Sequence, residues 1–79
     1  MEIRQSWVSG QYDSQSMRAY VARPASAGDA VLPTAIVIQE VWGVDEHIQD
    51  MANRFAQAGY QAIAPDLYSL GDVPEALRP

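Results

Sequence analysis

Residues 34–43 read TAIVIQEVWG, and the reading of this stretch decides the fold. TAIVI is an unbroken apolar, β-branched run with no alternation, the pattern of a strand covered on both faces. It runs into a glutamate, a tryptophan and a glycine. Asp45 then offers a helix N-cap, and Glu46 adds negative charge at the positive end of the helix. Ile48, Met51, Ala52, Phe55 and Ala56 follow at i, i+3, i+4, i+7 and i+8, which predicts one apolar helical stripe. Gly59 stands where a C-terminal capping glycine is expected.

Working outward, YQAIAPDLY (residues 60–68) supplies a second short apolar strand, Tyr60 to Ala64, closed by Pro65. Strand, helix and strand joined by short turns predict a βαβ unit with a parallel sheet and a right-handed crossover. Upstream, Trp7–Val8 and Met17–Ala22 read as two short strands of a hairpin. The Gly-, Asp-, Ser- and Gln-rich segment Gly10–Ser16 is the turn between them. In the second strand Ala19 and Val21 alternate with Tyr20 and Ala22, as in a half-exposed antiparallel strand. Pro24 ends it, and PASAGDAVLP (24–33) reads as a surface loop. Beyond Asp66 the chain reads as loop, and Asp72 with Pro74, Glu75, Ala76 and Leu77 reads as the start of another helix.

A strand as apolar as TAIVI needs helices on both faces, and only one complete helix is present. One flat apolar sheet edge is left without a partner. Residues 1–79 are therefore expected to be the opening segment of a larger α/β domain, incomplete without downstream residues.

Bulk composition narrows the function. Ten acidic residues face five arginines and no lysine, for a net charge of −5. That balance argues against nucleic acid and against an anionic membrane surface as partners. A hydrophobic content of 48% belongs to a globular chain. No apolar run reaches the length of a membrane span, and MEIRQSW lacks the apolar core of a signal peptide, so a cytoplasmic protein is expected. There is no cysteine, which removes disulfides, thiolate metal sites and a cysteine nucleophile from these residues.

In parallel α/β sheets ligands bind beyond the carboxyl ends of the strands. Glu40 and Asp66 each lie at such an end. Two readings of Glu40 stand side by side: a site carboxylate tuned by the apolar strand end, or a solvated carboxylate paired with Arg18 or Arg23. Val41 and Trp42 can offer backbone N–H groups to an anion, because their loop leads into a helix N-terminus. Trp42 and Tyr68 can line a pocket or simply pack. His47, the only histidine, reads as a solvated residue of the first helical turn, and with no partner ligand a metal site has no support. No G-x-S-x-G, Walker-type loop or G-x-G-x-x-G occurs. The residues offer a carboxylate and a candidate oxyanion loop, and no nucleophile.

The combination Gln39-Glu40-Val41-Trp42-Gly43-Val44-Asp45, then Gly59-Tyr60 and Ala64-Pro65-Asp66-Leu67-Tyr68, closely resembles the dienelactone hydrolase family of the α/β-hydrolase superfamily. The resemblance covers nearly the whole chain but only the N-terminal part of that family's domain. It implies the N-terminal part of an α/β-hydrolase fold, an antiparallel hairpin followed by the βαβ unit of a mostly parallel sheet. It also implies a hydrolase of small esters or lactones, of the carboxymethylenebutenolidase type, that works through an acyl-enzyme without a cofactor. Family members carry a cysteine or serine nucleophile, an aspartate and a histidine further along, and none of these has a counterpart here. His47 is not the triad histidine. What carries over is Glu40, which contacts the nucleophile; the Val41 N–H, one half of the oxyanion hole; and Trp42, an aromatic beside the substrate. The segment alone is expected to be inactive and to need the remaining C-terminal polypeptide of the same enzyme. The alternative from another class is a truncated, non-catalytic relative that acts as an interaction module through its exposed sheet edge.

Overall fold

The computed structural model describes residues 2–12 and 15–69. Its elements are β1 (Ile3–Tyr12), β2 (Gln15–Pro24), β3 (Thr34–Ile36), α1 (Glu46–Gln57) and β4 (Gln61–Asp66), with short 3₁₀ turns at Ala25–Ala27 and Leu67–Ser69. They build one four-stranded sheet in the order β1-β2-β4-β3. β2 is antiparallel to both β1 and β4, whereas β3 and β4 run parallel, with Thr34 opposite Gln61 and Ile36 opposite Ile63. The expected hairpin and βαβ unit are both present. α1 is the crossover between the parallel strands.

The hairpin corrects one expectation. Its strands are ten residues each, and Gly10, Gln11 and Ser16, read above as turn, are paired in the ladder as Gly10↔Met17 and Gln11↔Ser16. Polar residues can hold an exposed ladder, since the backbone hydrogen bonds do not depend on side-chain polarity. β4 likewise continues past Ala64 to Asp66, with Pro65 opposite Ala19. The helix start expected at Asp72–Leu77 lies outside the described residues.

Strand periodicity then separates two faces. Ala22 stands opposite Ala62, and Ala62 opposite Ala35, so these alanines share the face that receives α1. Tyr20, Val37 and Ala64 complete that side of the core with Ile48, Ala52 and Ala56 of the helix. Alanine on both surfaces lets the helix lie close to the strands. Ile48 is the largest side chain fully buried there among the described residues, and its burial is worth about 2 kcal/mol. The Tyr20 hydroxyl donates to Asn53 Oδ1 at 2.7 Å and so ties β2 to α1.

The other face is open. Ile36 and Ile38 are 65% and 61% exposed, and of the TAIVI run only Val37 is buried. The two-sided burial expected for TAIVI is therefore absent among the described residues, because the single helix covers one face. The helical stripe is narrower than its sequence pattern for the same reason. Ile48, Ala52 and Ala56 are buried, while Met51 and Phe55 sit on the flank, partly exposed, with Phe55 edge-on to Tyr60.

Both helix ends follow the sequence. Asp45 caps the N-terminus by accepting from the Ile48 N–H at 3.1 Å. At the other end the Tyr60 N–H reaches the Phe55 carbonyl and the Gly59 N–H reaches the Ala56 carbonyl, the paired bonds of a Schellman motif. That motif needs a left-handed residue, and Gly59 supplies it with φ of +100°.

Candidate functional site

The chain leaves β3 and, after Val37 and Ile38, turns tightly. The Gly43 N–H donates to the Glu40 carbonyl at 3.0 Å, and Glu40 and Gly43 form an isolated antiparallel bridge. Gly43 closes the turn with φ of +83°, a backbone region that side chains with a Cβ resist. Glu40, Val41 and Trp42 thus project from the carboxyl end of β3, immediately before the N-terminus of α1. Trp42 is 66% exposed and Val41 57%.

The turn is fastened to the end of β4 by two side chains. Gln39 accepts from the Leu67 N–H at 2.7 Å through Oε1 and donates to the Glu40 carbonyl at 3.3 Å through Nε2. Its partners, one donor and one acceptor, dictate the amide orientation. The Tyr68 hydroxyl donates to the Val41 carbonyl at 2.5 Å. Tyr68 is held in turn where its N–H donates to Asp66 Oδ1 at 3.2 Å, and the other oxygen of Asp66 accepts from Arg18 Nη2 at 2.9 Å.

Peptide planarity turns these bonds into a statement about direction. In a trans peptide the C=O and the following N–H point oppositely. The Glu40 carbonyl is engaged by Gly43 and Gln39, so the Val41 N–H is directed away from both. Because the Val41 carbonyl is engaged by Tyr68, the next peptide plane is held as well. The N–H that the sequence singled out belongs to a restrained loop.

The Glu40 carboxylate meets neither Arg18, which is bonded to Asp66, nor Arg23, which is bonded to Gln61 and the Ala30 carbonyl. Its neighbour is His47, with Nε2 3.6 Å from Oε1 and both side chains 65% exposed. His47 is solvated, as its position implied, yet the turn brings it back over Glu40. Sequence spacing alone did not reveal that proximity, nor the fastening by Gln39 and Tyr68. Polar residues inside the two motifs were the only signal. Asp66, the second strand-end acid, is buried as the anchor of Arg18 and Tyr68 and does not face Glu40's side of the turn through any of these bonds. Among the described residues no cluster of His, Cys, Asp and Glu could hold a metal ion. No helix among them is long and apolar enough to cross a membrane. A groove of about 570 Å³ between the hairpin and α1, lined by Trp7, Tyr20, Glu46 and Asp50 among others, includes no residue of the 39–43 turn.

An antiparallel hairpin leading into a parallel βαβ unit, with an exposed carboxylate on the turn after the first parallel strand, defines the N-terminal part of an α/β-hydrolase fold. The dienelactone hydrolase family model matches residues 17–76, and the chain belongs to that family. A crystal structure assigned as a dienelactone hydrolase from Klebsiella pneumoniae superposes with a TM-score of 0.78 at 47% identity, over 86% of this chain and 28% of that one. A Salmonella typhi protein provisionally named carboxymethylenebutenolidase is 58% identical over 52 residues, 66% of this chain and 19% of its own length. A Synechocystis protein with the same provisional name is 38% identical over 68 residues, 86% of this chain and 27% of its own length. The chain therefore spans less than a third of the length of each of these relatives.

Proposed function

We propose that this chain is the N-terminal segment of a single hydrolase domain that cleaves a small ester or lactone through an acyl-enzyme, and that it supplies the acid-base and oxyanion half of the site. The observation that supports this most directly is the placing of Glu40 and the Val41 peptide on one restrained, exposed turn beyond β3. A thiol or hydroxyl in the remaining polypeptide of the same enzyme attacks the substrate carbonyl. Glu40 contacts that nucleophile and favours its reactive, deprotonated state. The Val41 N–H donates to the oxygen that becomes negative, an interaction typically worth about 3 kcal/mol in the barrier. Trp42, already exposed beside both, forms part of the wall against the substrate. The tetrahedral intermediate collapses by breaking the ester C–O bond, and the alkoxide departs as the alcohol with the proton taken from the nucleophile (in a lactone it stays tethered to the acyl group). Water then adds to the acyl-enzyme and releases the acid, returning a proton to the nucleophile.

The test is Glu40→Gln in the complete enzyme, assayed on an aryl acetate and a small unsaturated lactone. Turnover should fall about a hundredfold, the usual contribution of a positioned acid-base group, with an unchanged circular dichroism spectrum. Unchanged turnover removes Glu40 from the chemistry, and no turnover of either substrate by the unaltered enzyme overturns the hydrolase reading.

One observation favours a second reading, an interaction module. The outer edge of β3 is unpaired among the described residues, and Ile36 and Ile38 stand exposed beside it. Intact mass spectrometry of the purified protein separates the two. A companion or continuous polypeptide carrying the nucleophile supports the enzyme, and a lone 8.7 kDa species supports the module.

A further inference from the structure

We propose that Gln39 and Tyr68 are positioning residues that hold the Val41 N–H at the angle needed for oxyanion capture. The inference rests on the hydrolase reading above and adds a requirement to it. The peptide between Glu40 and Val41 can in principle rotate as a unit about its flanking bonds. A rotated plane presents the Glu40 carbonyl oxygen where the Val41 N–H had been, and two oxygens then face each other at the reacting centre.

Three bonds oppose that rotation. The Gly43 N–H and Gln39 Nε2 both hold the Glu40 carbonyl, at 3.0 and 3.3 Å. The Tyr68 hydroxyl holds the following carbonyl, that of Val41. Two of the three come from side chains that reach between the loop after β3 and the turn after β4, since Gln39 is itself anchored on the Leu67 N–H at 2.7 Å. Tyr68 is anchored on Asp66, and Asp66 on Arg18 of β2. The oxyanion donor is thus referenced to two further strands of the sheet, which explains physically why the Q-E and P-D-L-Y segments are spatial partners although 26 residues of sequence lie between Glu40 and Leu67.

The experiment uses the complete enzyme with Tyr68→Phe, which keeps the ring that packs beside Gly43 and deletes the hydroxyl, and Gln39→Met, which keeps the length and deletes both bonds. Each removes one hydrogen bond made directly to a carbonyl of the loop and should lower kcat about tenfold. Phenylacetaldehyde adds reversibly to either a thiol or a hydroxyl nucleophile, placing an oxyanion at the same point, and its inhibition constant should weaken by the same factor. Binding of the product analogue phenylacetate should stay within twofold, which a merely structural loss does not predict. If both kcat and aldehyde affinity are retained in Tyr68→Phe, or if aldehyde and phenylacetate weaken together, the positioning role is overturned. Should Tyr68→Phe fail to fold, Gln39→Met decides by the same two constants. The unaltered complete enzyme and Glu40→Gln run alongside separate the failures: an unaltered enzyme that turns over neither the ester nor the lactone rejects the hydrolase reading, a fully active Glu40→Gln rejects the role of Glu40, and an inactive Glu40→Gln with a normal Tyr68→Phe rejects the positioning role alone.

Discussion

Arg18 and Asp66 face each other across the β2–β4 ladder and are joined at 2.9 Å between Nη2 and Oδ2. The pair is lopsided: the Asp66 side chain is 10% exposed and that of Arg18 59%, with the guanidinium also lying 5.2 Å over the Trp7 ring. Removing the buried partner should therefore cost more than removing the exposed one. Asp66→Ala removes the acceptor of both the Tyr68 N–H and the Arg18 guanidinium and should destabilise the complete protein by about 2 kcal/mol. Arg18→Met should cost about 1 kcal/mol or less, since its charge is largely screened by water. Denaturant unfolding of both variants checks the order, and a larger loss for Arg18→Met contradicts it.

Helix α1 sits on a bed of alanines, and that closeness makes the interface intolerant of added volume. Ala52, Ala56, Ala62 and Ala64 are all fully buried. Ala56→Leu should destabilise by about 2 kcal/mol through overpacking, despite leucine's good helix propensity. The same change at Gln57, an exposed neighbour, should stay within about 0.5 kcal/mol. Equal midpoints for the two variants would show that the helix can move away from the sheet at no cost.

Gly43 is the position at which the fold and the proposed chemistry depend on one backbone angle. A Cβ there meets the Tyr68 ring at 3.5 Å, an ordinary contact, but φ of +83° strains any side-chain-bearing residue. Gly43→Ala should cost about 1–2 kcal/mol if the turn is kept. If the turn instead relaxes, kcat should fall more steeply than stability, because the Gly43 N–H also holds the Glu40 carbonyl. Unfolding and ester turnover measured on the same sample distinguish these, and a variant unchanged in both contradicts the account of the turn.

The helix cap provides a control away from the site. Asp45→Ala removes the acceptor of the Ile48 N–H and should cost about 1 kcal/mol, which Asp45→Ser should largely restore. Thermal unfolding of the pair measures it, and no loss in Asp45→Ala would mean that water caps the helix equally well.

The sequence by itself determined the elements whose signals are local. The cap at Asp45, the glycine at 59, the βαβ order and the exposed turn at Glu40–Gly43 all follow from backbone preference and apolar period over a few residues, and each is present. The family was legible at the same level, through two motifs at a fixed separation. The extent of the hairpin was not, because ladder bonds use backbone groups that polar side chains do not announce. Burial was not legible either: TAIVI and the α1 stripe carry enough apolar surface for two faces, and tertiary structure decides which of it α1 covers among the described residues. Pairings were the least accessible. Glu40 with His47, Asp66 with Arg18, Gln39 with Leu67 and Tyr68 with Val41 join residues whose spacing carries no periodic signal. Polar contacts form where geometry brings the partners together: for Glu40 and His47 the tight turn before α1 does so, and for the others that geometry exists only once β2, β3 and β4 share a sheet.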